Sequence, residues 1–244
     1  MNDTSLPDVR ERGAERDGQP QAMDRRLFMQ LLAFDCTGEL GPYEAVKNLG
    51  SALDKRKAIA VIYEDVNDPT GIAVLSLSED PADFVSKVRP AFGESHVSGL
   101  KLRHELTMLG RTYSSGYEPD LEYWLLERPR QTVMNEAWPW AIWYPLRRSG
   151  SFEKLELREK GGIMREHAEI GKAYGHADLA HDVRLACHGL DANDNEFVIG
   201  LIGKELHPLS HVVQAMRKTR QTSEFIVQMG PFFVGRAVWR SAAR

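Results

Sequence analysis

The chain is poor in cysteine, in net charge and in long apolar runs, and each shortage removes a class of protein. Cys36 and Cys187 are its two cysteines in 244 residues. They form no CxxC and have no close histidine partner, which excludes a disulfide scaffold and a zinc finger and leaves two buried thiols in a reducing compartment. Lys and Arg number 31 against 35 Asp and Glu, a formal charge of −4, so there is no global basic field to hold nucleic acid. No stretch supplies the roughly 18 consecutive apolar residues of a membrane span, and no membrane partner is expected. Glycines stand in "MLGR" and "GPFFVGR", but without a GxGxxG or Walker pattern they carry no nucleotide signal. "GLDANDNEF", Gly189 to Phe197, lacks the central glycine and closing acid of a calcium loop and reads as a hairpin turn.

What is present is a globular composition with 42% hydrophobic residues. Residues 1–24 are polar and punctuated by Gly and Pro. They have no apolar segment of the kind a signal peptide carries, so a disordered tail and a cytoplasmic location are expected. From Leu27 the pattern is strand "LFMQLLAF", helix "GPYEAVKNLGSALDKRK", two strands flanking "NDPTG", helix "PADFVSKVRPAF" and closing strand "LKLRHELTMLGR". That order, βαββαβ, is the ferredoxin-like unit.

The second half repeats it, with strand "WAIWYPL", helix "EKLELREKGGIMREHAEIGKAYG", strands "DVRLACHGL" and "FVIGLIG", helix "PLSHVVQAMRKT" and strand "FFVGRAVW". Landmarks correspond as well. Asn67-Asp68 stands to Pro81 nearly as Asn193-Asp194 stands to Pro208, and "MLGR" matches "FVGR". The expected fold is therefore α+β, two tandem ferredoxin-like units (25–113 and 138–244) pairing into a dimeric α+β barrel within one chain, with 114–137 as a connection.

The stretch "AWPWAIWYPLRRSG", Ala137 to Gly150, sets three tryptophans and a tyrosine beside two arginines; a large, flat, anionic ligand accounts for both features. Ile163, His167, Ile170 and Tyr174 share one helical stripe. A lone histidine on such a stripe is ordinarily a hydrogen-bonded core residue, and its functional reading is an axial ligand to a haem iron, where one imidazole suffices. His207 and His211 read as solvated helix-end residues. Arg130, Arg147, Arg148, Arg217 and Arg236 are scattered, yet guanidinium groups pair bidentately with carboxylates such as those of an acidic porphyrin. Ser223, close behind Arg217, adds a hydroxyl.

In "WYPLRR", "MREHAEIGKAYG", "GLDANDNEFVIGL" and "MRKTRQTSEFIVQMGPFFVGR" the chain resembles the chlorite dismutase family, which includes the coproheme decarboxylases. The resemblance covers the second half closely and the first mainly in element order. It implies an iron porphyrin in the second unit, with His167 as iron ligand and Tyr144 as the tyrosine oxidised during decarboxylation. Arg130, Arg217 and Ser223 match propionate-holding positions, and Arg147 and Arg148 stand where relatives have a lysine. The residue across the iron from His167 is Ala180, Asp182 or Arg184.

The activity implied is peroxide-dependent conversion of coproheme to haem b. The alternatives are chlorite dismutation on haem b with Arg184 as the distal arginine, a non-catalytic haem sensor or carrier, and a haem-free barrel. Relatives form rings of five. Trp124, Leu125, Leu126 and Val133 on the connection are apolar enough to mark a subunit contact, although packing against their own barrel is the competing expectation.

Overall fold

The structure is a computed structural model that describes residues 6–38 and 40–242. Residues 1–5 of the expected tail and 243–244 of the second unit lie outside the described residues. The expectation of an entirely disordered tail is corrected by an antiparallel hairpin of β1 (Glu11–Arg16) and β2 (Gln19–Met23). Its tip, Asp17-Gly18, takes φ of 53° and 74°, the two positive values that a two-residue hairpin turn requires and that Asp-Gly readily adopts. Gln21 ties the hairpin down, donating to the carbonyls of Glu118 and Pro119 at 3.2 and 3.1 Å and accepting from the Leu121 amide at 3.0 Å.

The first unit runs through β3 (Phe28–Cys36), α1 (Pro42–Lys55), β4 (Ala60–Asp65) and β5 (Gly71–Ser78). A wide helical turn, Phe84–Val88, leads into the short α2 (Arg89–Phe92). The last expected strand is broken at His104–Leu106 into β6 (Leu100–Leu102) and β7 (Met108–Arg111). Pro42 opens α1, where its missing N–H costs nothing, and Ala45, Leu49, Ala52 and Leu53 bury one face of that helix.

The connection contains another wide turn, Tyr123–Glu127, and α3 (Arg128–Met134). The second unit follows as β8 (Trp140–Arg148), α4 (Leu157–His176), β9 (His181–Ala186), β10 (Phe197–Gly203) and α5 (Leu206–Met216). It ends with β11 (Ile226–Met229), a strand the sequence pattern does not announce, and β12 (Phe233–Arg240).

Strand order is β10-β9-β7-β3-β5-β4-β12-β8, and β8 pairs again with β10. Among the described residues, eight strands thus close into a barrel built from two four-stranded ferredoxin-like sheets. The two seams between the sheets differ. The β4–β12 seam has five residue pairs, from Gly235↔Asp65 to Arg240↔Val61, whereas β7 and β9 share the single pair Arg111↔Ala186.

The interior is filled by Leu31, Tyr63, Leu75, Trp143, Leu185 and Phe233. Leu121, Leu125, Leu126 and Val133 of the connection join the same cluster. Leu125 and Val133 have no exposed surface within the single chain, so the connection covers itself and does not argue for a second copy. Glycines on the closing strands serve packing: a Cβ on Gly235 would lie 2.7 Å from the Phe233 ring. Cys36 and Cys187 are free and buried. No helix among the described residues is long and apolar enough to cross a membrane.

Candidate functional site

Alternation along β8 sends Ala141 and Trp143 into the barrel and Ile142, Tyr144 and Leu146 to the opposite face, beneath α4 and α5. Pairing across β10 carries that face to β9. Ile199 lies opposite both Tyr144 and Arg184, and Leu201 lies opposite both Ile142 and Asp182. Tyr144, Ile199 and Arg184 therefore form one cross-strand row, and Ile142, Leu201 and Asp182 the next.

Above the rows, α4 is packed sparsely. Of its twenty residues Ile163 alone is buried, while the shorter α1 of the first unit buries five. The stripe containing His167, Ile170 and Tyr174 is only half-buried. An amphipathic helix whose apolar stripe is only half covered by its sheet is incompletely packed, and a flat apolar group is the kind of ligand that would complete such packing. At its far end Tyr174 bonds through its hydroxyl to Nδ1 of His211, tying α4 to α5. His211 is thus a helix-pairing residue as well as an exposed one.

His167 Nδ1 makes a long, 3.5 Å contact with Oγ1 of Thr219. That hydroxyl donates to the carbonyl of Met216 at 2.8 Å, so its oxygen is left to accept. A neutral imidazole that donates from Nδ1 to this oxygen has its Nε2 lone pair free to ligate. Burial, reinforced by Arg184, holds the His167 pKa below its usual value against the opposing pull of Asp182 and Glu166. The imidazole is accordingly kept in its ligating form. Among the described residues no three His, Cys, Asp or Glu gather as a metal site. A metal held by His167 would have to bring its other donors with it, as a porphyrin iron does. One oriented imidazole, a loosely covered apolar face and nearby cations fit that group.

Tyr144 is 5% exposed, and its ring stacks on Phe232 with 4.7 Å between centroids. Burial, with Asp182 adding to it and Arg217 opposing, raises its phenol pKa far above the ordinary value. Asp182 is clamped from two sides. Arg128 donates Nη2 to its Oδ1 at 2.6 Å and Nη1 to its carbonyl at 2.9 Å, and Arg184 Nε lies 3.0 Å from Oδ2. Burial alone would raise the Asp182 pKa, but the two guanidiniums outweigh it and hold the carboxyl below its usual value. All three distal candidates share this face, Asp182 and Arg184 on β9 and Ala180 just before it, where Ala180 is 5% exposed in the same cluster as Tyr144.

The other expected residues divide. Arg217, at the end of α5, is exposed and acts on the Tyr144 phenol. Ser223 is close by in sequence, but its hydroxyl is spent on the carbonyl of Thr219 at 2.9 Å. Arg148 is consumed internally. It donates to Glu196 Oε1 at 2.7 Å and is sandwiched between the rings of Phe152 and Phe197, 4.5 and 4.7 Å from their centroids. Arg147 reaches the turn carbonyls of Asn193 and Asp194.

Arg130 does not join the site. Its Nε is buried without a partner, and it lines a cleft with Asp54, Ile59 and Arg240. Two residues along a helix turn a side chain by about 200°, so it is Arg128, with the same charge, that reaches β9. Arg128 and Thr219 are the residues missed in the sequence; the pair of arginines in "ERPRQ" was the available signal. The expected wall of tryptophans also separates. Trp143 fills the barrel, Trp140 joins the face under α4, and Trp138 stacks on His181 at 3.6 Å.

None of the curated proteins compared matches the chain. Among solved structures, the chlorite dismutase from Candidatus Nitrospira defluvii in complex with imidazole is 14% identical, with a TM-score of 0.68 over 88% of this chain and 92% of that one. A heme-binding protein from Thermus thermophilus is 17% identical, with a TM-score of 0.67 over the same shares. At such identities the likeness shows the fold. The sequence model described as chlorite dismutase matches residues 53–238, which is more than half of the chain, and the chain therefore belongs to the chlorite dismutase family.

Proposed function

We propose that the chain holds an iron porphyrin through Nε2 of His167 and converts coproheme to haem b with hydrogen peroxide, releasing two propionate carboxyls as carbon dioxide. The observation that carries this reading is Tyr144, an oxidisable phenol on the sheet face directly under the helix of His167. When bound, the iron porphyrin and peroxide supply the oxidising equivalents.

The chain supplies the rest. Thr219 orients His167. Ile142, Ile199 and Leu201 provide an apolar floor that excludes water. Arg217 offers an exposed guanidinium to a propionate. Its burial keeps Tyr144 protonated at neutral pH, so the phenol gives up its proton together with its electron. Mass spectrometry of the coproheme-loaded protein titrated with peroxide tests the reading. Stepwise loss of carboxyl mass is expected, and bleaching without such loss overturns it.

A second reading, chlorite splitting on haem b, is favoured by Arg184 on the same face. Oxygen evolution on adding chlorite would select it. Stable haem binding with neither activity would select a sensor or carrier.

A further inference from the structure

Arg184 stands on the side of the groove opposite the helix that carries His167, in the cross-strand row of Tyr144. A cation there would attract an anion to the open side of any iron held by His167. In this chain the cation is already answered. Asp182, two residues earlier on the same face, lies 3.0 Å from Arg184 Nε through Oδ2.

The carboxylate is not free to turn away. Its other oxygen accepts from Arg128 at 2.6 Å, and Arg128 also holds the Asp182 main-chain carbonyl at 2.9 Å. Arg128 is itself braced against Trp124, with 4.7 Å from its guanidinium carbon to the ring centroid. A counter-charge fixed 3.0 Å from Arg184 Nε cancels most of the field which that guanidinium would present to an incoming anion.

We propose that Asp182 is a specificity-determining residue: by occupying Arg184 it denies anionic ligands a partner on the sheet side of the groove and so selects a neutral oxidant over an anionic one. The proposal rests on the reading that His167 holds an iron porphyrin. It explains why an arginine on this face need not signal chlorite chemistry.

The test uses the full chain reconstituted with ferric protoporphyrin, titrated at neutral pH with azide, an anion, and with imidazole, a neutral ligand, while the Soret band is followed. Asp182→Asn should bind azide at least about tenfold more tightly than the wild type, because an uncovered Arg184 becomes a receptor. Its imidazole affinity should stay within about twofold. Asp182→Glu, which keeps the charge, should remain near wild type, and Asp182→Asn combined with Arg184→Gln should lose the gain. Asp182→Ser reads the same way if the asparagine variant does not load porphyrin.

An unchanged azide affinity in loaded Asp182→Asn or Asp182→Ser overturns the proposal, as does a gain that persists without Arg184. Absence of a Soret band in the wild type overturns the porphyrin reading and this proposal with it, which separates the two failures.

Discussion

The ring of Tyr144 stacks on that of Phe232, inclined by 23°. The contact belongs to the ring, so Tyr144→Phe preserves it and removes only the oxidisable hydroxyl. Coproheme affinity should stay within about twofold while decarboxylation falls by more than about a hundredfold. Retained turnover would exclude the tyrosine from the chemistry.

His167→Ala removes the imidazole and should shift the Soret band and weaken iron-porphyrin retention strongly. Thr219→Val removes the acceptor of the Nδ1 proton and leaves the ligand in place. A smaller loss, roughly tenfold, is expected, of the size seen when the outer partner of a ligating histidine is deleted. Equal effects from the two variants would mean that His167 does not ligate.

Arg148 and Glu196 make a largely buried, hydrogen-bonded pair, with side chains 14% and 18% exposed. Arg148→Ala leaves the carboxylate uncompensated and strips a cation from between two rings. It should cost about 2–4 kcal/mol of stability in urea unfolding. Porphyrin affinity of the folded fraction should not change; a tenfold loss of affinity without loss of stability would restore Arg148 to the ligand site.

Because Arg184 and Arg128 hold Asp182 below the ordinary value of 3.8, the native state favours its charged form. The resulting stability is present above that value and is lost as the pH falls through the lower folded value. Wild type and Asp182→Asn should therefore differ most in stability above about pH 5 and converge in acid. Divergence in acid would reverse the assigned direction.

Gly200 faces Trp143 across β10 and β8, and a Cβ there would sit 2.5 Å from the indole ring. Gly200→Ala should destabilise the barrel by about 1–3 kcal/mol through overpacking. A neutral effect would show that the indole can move aside.

The architecture was legible because the apolar patterns are long and occur twice: the helix around Leu49 and Leu53 and the strand "FVIGLIG" declare their periods locally. The helical stripe that carries His167 was legible for the same reason, whereas Tyr144 was singled out by the family resemblance alone. Residues whose role depends on a partner distant in the chain were not. Arg130 and Arg128 differ by two positions in one helix, and only the packing of α3 against β9 decides which reaches Asp182. Arg148 was expected to meet a ligand carboxylate but pairs with Glu196, a partner 48 residues away. The tail was misread because its polar composition outweighed "DG", a strong local signal for a hairpin turn.

The unequal seams of the barrel have a mechanical consequence. Backbone pairing ties five residue pairs across one seam and the single pair Arg111↔Ala186 across the other, where side-chain packing takes over and a Cβ on Gly110 would lie 2.7 Å from that of Leu185. The strand on that weak seam is β9, which carries Asp182 and Arg184. The charged floor of the groove is therefore held on one side by the β10 ladder and on the other by side-chain packing and the Arg128 clamp on Asp182, not by a second ladder.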